Sequence, residues 1–103
     1  MQPGEQPVDC ARRELEEETG YQAREMIELG VIHILPSYSD EITHVYIARK
    51  LQLNRQRLDQ DEILEVVHYP LEQTLTMISD GRITDALTVL SLQKAWFYFN
   101  KKG

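Results

Sequence analysis

Four glutamates crowd the last turns of one predicted helix, in the stretch "RRELEEETGY" at residues 12–21. Positions three and four apart share a helix face, so Glu14, Glu17 and Glu18 gather in one patch while Glu16 looks elsewhere. Arg13 lies four residues before Glu17 and can pair with it. The end of a helix is a poor place for carboxylates, because the negative end of the dipole adds to their repulsion. In water, like charges at this spacing cost only a few tenths of a kcal/mol per pair, and a solvated, charge-rich face is one reading. Facing a cleft, with an effective dielectric near 20, carboxylates about 6 Å apart repel by roughly 3 kcal/mol. A cleft-facing patch therefore calls for a divalent cation, and hard oxygen ligands select Mg²⁺ or Mn²⁺. Repulsion alone does not decide between the two readings.

The elements that must position these residues follow from local pattern. Pro7 suits a first helical turn and Gly20 a C-terminal stop, which predicts a helix between them. Val8, Ala11 and Leu15 give it one apolar stripe. "MIELGVIHILP" reads as a buried strand, kinked at Gly30 and closed by Pro36. "SYSDE" is a polar turn, and "ITHVYIARKL" has the β-branched and aromatic content of a second strand. "NRQRLDQDE" makes a polar connection to a third strand, "ILEVVHY". Pro70 opens a short helix, "PLEQTLTMIS", which stops around Asp80 and Gly81. A last helix begins at Thr84 as its cap, with Val89, Leu92, Trp96 and Phe99 as a core stripe. The order α-β-β-β-α-α predicts a mixed α/β fold.

Composition limits the alternatives. A chain of 103 residues, 42% hydrophobic and 27% charged, is one small globular domain. Its net charge of −6 disfavours nucleic acid and anionic membrane as partners. No apolar run approaches the roughly 20 residues of a membrane span. Cys10 is the single cysteine, so no intrachain disulfide forms, and a cytoplasmic location is the simplest reading.

The spacing carries more than the acidity. Glu5, seven residues, Arg13-Glu14-Leu15, one residue, Glu17-Glu18, one residue and Gly20-Tyr21 resemble the box of the Nudix hydrolases. By average residue usage, six such fixed positions arise by chance on the order of once in ten million starts. The resemblance implies an α/β/α sandwich with a mixed sheet, and hydrolysis of nucleoside diphosphates linked to another group. It implies that Glu14, Glu17 and Glu18 bind metal, Glu14 and Glu18 being the principal ligands. It also implies that Arg13 braces these carboxylates, that Glu5 steadies the preceding loop, and that Gly20 permits the tight exit. Mg²⁺, with Mn²⁺ as a substitute, is the cofactor implied.

Later stretches are similar to the ADP-ribose pyrophosphatase subgroup: Pro36 in "LPSYSDEITHVYIARKL", and Gly81, Ile83, Asp85, Ala86 and Thr88 in "DGRITDALT". That subgroup implies a nucleoside diphosphate sugar substrate, with ADP-ribose and water giving AMP and ribose 5-phosphate. In "DQDEILEVV" the subgroup commonly has a further acid where Gln60 stands, which leaves Glu62 as the candidate catalytic base beside Glu17 and Arg13. A solvated loop explains Asp59, Asp61 and Glu62 equally well. Ser39 and Glu41 can line the substrate mouth, and an ordinary turn accounts for them too. His33, His44 and His68 lie on predicted strands without metal-ligand spacing and read as structural. Cys10 reads as a small packing residue.

The family pattern places a glycine six residues before Glu5, ahead of Met1. The chain is accordingly expected to be the C-terminal portion of a Nudix domain, with Met1 an internal methionine or a product boundary. Unpaired strand edges and a one-sided core would then favour a homodimer or other oligomer. Two readings follow: an Mg²⁺-dependent pyrophosphohydrolase, or a catalytically inactive Nudix-like fragment with an assembly or binding role.

Overall fold

Pro3 and Gly4 open the chain with a tight turn, closed by the Glu5 amide donating to the Gln2 carbonyl at 3.1 Å. Gly4 takes φ +78°, the left-handed value that the third position of a Pro-Gly type II turn requires. Helix α1 (Pro7–Thr19) then starts with Pro at its first turn. It ends at Gly20, whose φ of 79° lets its amide reach the Glu16 carbonyl at 2.8 Å. Both boundaries are those predicted. In the computed structural model, residues 2–33, 42–54 and 66–101 are described.

Strand β1 (Tyr21–His33) follows without a loop, five residues earlier than its apolar run indicates. Its first residues alternate, with Ala23 buried between exposed Gln22 and Arg24. One polar face is normal in an antiparallel ribbon, and it hid this segment among polar letters. Strand β2 (Ile42–Leu53) starts where expected and runs two residues longer. The two form an antiparallel sheet, closed at one end by Asn54 N donating to the Gly20 carbonyl at 2.6 Å. Glu25 bridges the strands, 3.5 Å from both Arg49 and Lys50. Gly30 adopts φ +114°, consistent with the kink assigned to it. The expected third strand, 63–69, is not found where it can be seen: residues 63–65 lie outside the described set, and Val66–Tyr69 carry no strand pairing and are exposed. Pro36 is likewise outside.

Helix α2 (Leu71–Ser79) follows Pro70, and helix α3 (Ala86–Phe99) packs against it. The cap of α3 is Asp85 and not Thr84, because the Asp85 carboxylate accepts from the Thr88 amide at 2.9 Å and the Thr88 hydroxyl at 2.8 Å. The anticipated core stripe of α3 holds only in part. Val89, Leu92 and Trp96 are half-buried, whereas Phe99 is 51% exposed and its neighbour Phe97 71%.

The chain divides into two compact units, Met1–Gly30 with Tyr46–Val66, and Val31–Val45 with Val67–Gly103. The first contains α1 and most of the ribbon, with Cys10 and Ala23 buried in it. The second contains α2, α3 and the remaining ends of the strands, with Val45 buried. Among the described residues no large side chain is fully buried. No described helix is long and apolar enough to cross a membrane.

Candidate functional site

Arg13 organises the acidic end of α1. Its Nε and Nη2 donate to Glu5 Oε2 and Oε1 at 3.1 and 3.2 Å, a two-pronged bond that ties the opening turn to the helix. Its Nη1 reaches both oxygens of Glu17, at 3.2 and 3.1 Å, across one helical turn. The turn that carries Glu5 also supplies the Gln2 amide to Glu5 Oε1 at 3.1 Å. Bonds from the Arg13 guanidinium and from that amide hold the Glu5 carboxyl down at about 2. The same two carboxylates push the Arg13 guanidinium further up from its already high value.

Cys10 lies one turn before Glu14 and donates its thiol to Glu14 Oε1 at 3.1 Å. That bond, and after it burial, pushes the thiol pKa up, so Cys10 is a protonated donor and not a thiolate. The expected packing role holds, since Cys10 is buried, and the bond to Glu14 adds to it. Glu14, Glu17 and Glu18 are all exposed. Glu16 is half-buried and accepts from Gln22 Nε2 at 3.0 Å, so it faces away from that patch as its helix position predicts.

The donor chemistry of Glu14, Glu17 and Glu18 fits a hard divalent cation: three carboxylates within five residues, at spacings that share a face. Their arrangement is not a closed cage. Among the described residues no three His, Cys, Asp or Glu side chains converge closely enough to hold a metal ion. Glu17 is engaged by Arg13 and Glu14 by Cys10. Glu62, Ser39 and Glu41 lie outside the described residues, as do Asp59, Gln60 and Asp61. His33 and His44 sit exposed on β1 and β2, and His68 is exposed on irregular chain and not on a strand.

A helix ending in this braced glutamate set, leading through a left-handed glycine into an antiparallel ribbon, is the arrangement of a Nudix domain. The chain matches the NUDIX domain over residues 1–89, and it belongs to that family. Nudix hydrolases generally use divalent metals. The ADP-ribose pyrophosphatase of Bacillus subtilis (strain 168) is 37% identical over 95 residues, covering 90% of this chain and 51% of that protein. A methanol dehydrogenase activator of Bacillus methanolicus is 39% identical over 95 residues, with the same coverage. A GDP-mannose pyrophosphatase of Yersinia enterocolitica is 38% identical over 93 residues, covering 86% of this chain and 48% of the other. The chain thus spans about half the length of these relatives. A crystal structure of an ADP compounds hydrolase superposes with a TM-score of 0.81 at 26% identity, covering all of this chain and 57% of that one.

Sequence reasoning missed two features. The Cys10–Glu14 bond had a signal, the spacing of four on one helix. The recess beside Arg12 and Arg24, described below, had none, because it needs the early start of β1.

Proposed function

We propose that the protein is an Mg²⁺-dependent hydrolase of diphosphate linkages, acting on ADP-ribose or a related nucleoside diphosphate sugar. ADP-ribose and water give AMP and ribose 5-phosphate. The observation that carries this reading is Arg13 bonded at once to Glu5 and Glu17, which sets a rigid acidic face at the end of α1. Glu14 and Glu18, with Glu17, would hold the cation. When bound, it supplies charge screening between an anionic enzyme and an anionic substrate, and it activates the phosphorus centre and the water. Arg13 positions Glu17, and the Glu5 pair keeps Arg13 from swinging into the diphosphate. Glu62 is the proposed base, with Glu17 and Arg13 completing the catalytic set. Ser39 and Glu41 are proposed to contact the sugar nucleotide. A cytoplasmic location and a homodimer complete the reading, the single cysteine and the apolar surface of α3 being their support.

The test is release of AMP from ADP-ribose by the full chain with Mg²⁺. The expected result is turnover that Glu18→Gln lowers at least about 100-fold, several kcal/mol of lost metal assistance. No Mg²⁺-dependent turnover by the wild-type chain would overturn it. The second reading, binding or assembly without hydrolysis, is favoured by one observation: Phe97, Tyr98 and Phe99 expose a run of aromatic surface at the end of α3. That reading predicts nucleotide-sugar binding with no AMP formed.

A further inference from the structure

Two residues apart on a helix turn by about 200°, so Arg12 and Glu16 project away from Glu14. There they line a recess of about 330 Å³ with Gln22, Ala23, Arg24 and Gln52. A more open depression shares Arg24 and Gln52 with it and adds Lys50 and Leu51. Arg12 Nη1 donates to the Ala23 carbonyl oxygen. That acceptor is neutral, so the guanidinium is anchored at the wall of the recess with its charge uncancelled. Among the described residues neither Arg12 nor Arg24 enters an ion pair. Gln22 Nε2 donates to Oε2 of Glu16, the one carboxylate among the described lining residues.

Among the described residues that line the recess, two are cationic and one acidic, a reversal of sign in a chain whose net charge is −6. A recess of that sign concentrates anions. Guanidinium forks match the oxygen spacing of a phosphate, and glutamine amides add neutral donors. The volume lies at the small end for a ligand site, which suits one phosphoryl group and little more than a sugar. We propose that this recess binds a phosphate group, carried by a small phosphomonoester or as inorganic phosphate, through Arg12 and Arg24. Glu14, Glu17 and Glu18 take no part in it, so it stands apart from the hydrolytic reading.

The test is titration of the ¹⁵N-labelled full chain with inorganic phosphate, and separately with ribose 5-phosphate, at an ionic strength held constant with chloride. Saturable shifts are expected at the amides of Gln22, Ala23, Arg24 and Gln52. Arg24→Ala and Arg12→Gln should each weaken binding about tenfold, while Glu18→Gln binds as the wild type does. Ribose 5-phosphate binding at least tenfold tighter assigns the recess to an organic phosphomonoester, and equal binding assigns it to free phosphate. A response that does not saturate, that chloride reproduces, or that Arg24→Ala leaves intact overturns the proposal.

Discussion

Helices α1 and α3 are nearly equal in length, 13 and 14 residues, yet they meet solvent in opposite ways. The exposed end of α1 is charged, and partners for those charges are close by in sequence: Glu5, Cys10, Arg13, Glu14 and Glu17 interlock within thirteen positions. Toward its own C-terminus, α3 exposes Phe97, Tyr98 and Phe99, with the rings of Tyr98 and Phe99 in edge contact, centroids 5.3 Å apart. The bonds that order the first region join residues close in sequence. Apolar surface in the second is a demand for a partner surface. The proposed site chemistry therefore rests on α1, and the proposed assembly on α3.

The largest expected departure comes from Arg13. Arg13→Ala removes the brace from Glu5 and Glu17 together and should lower Mg²⁺-dependent hydrolysis by about 10- to 100-fold, the usual cost of losing such a supporting contact. Arg13→Lys should recover only part, because an ammonium cannot grip two carboxylates with fixed forks. Steady-state AMP release measures both. Equal activity of the alanine variant and wild type would break the assignment of order to α1.

Next is Phe97→Ser on α3. Losing one well-buried aromatic at an interface is worth about 1.5–3 kcal/mol, so the proposed homodimer should weaken at least about tenfold. Sedimentation equilibrium reads this directly, with hydrolysis per folded protomer compared alongside. An unchanged association constant would remove α3 from the interface.

Smaller is the effect of Asp85→Ala, which strips the cap of α3 and should cost about 1 kcal/mol by denaturant melting, with Asp85→Asn retaining most of it. The Asp85 carboxyl is held low by the Thr88 hydroxyl and amide. A neutral outcome would mean that α3 is held by packing alone.

The smallest is a pH effect at Glu5. Its carboxyl titrates at about 2 against the usual 4.5, so its contribution is complete above about pH 4.5 and drains away as the pH falls toward 2. The melting temperature of Glu5→Gln should approach that of the wild type across this window. Parallel melting curves from pH 5 to pH 2 would show that the Arg13–Glu5 bond adds no stability.

What was legible in the sequence follows the same divide. Pro7, Gly20 and the glutamate spacing act within a few residues, so the limits of α1 and the Arg13–Glu17 pair could be read directly. Gly30 and the start of β2 were legible for the same reason. The first five residues of β1 were not, because Gln22, Arg24 and Glu25 are letters of a loop until a partner strand supplies their hydrogen bonds. Thr84 and Asp85 are both good caps, and only the position of Thr88 one turn on selects Asp85. Burial of Phe99 was inferred from helical spacing, which says which residues share a face and nothing about what faces them.

Titration of the full chain with Mn²⁺, followed by the loss of the free-ion electron paramagnetic resonance signal, bears most directly on the role given to α1. Saturable binding that weakens at least about tenfold in Glu14→Gln and in Glu18→Gln, with the folded spectrum unchanged, is the predicted result. Binding that is equal in wild type and both variants, or absent from all three, would contradict it.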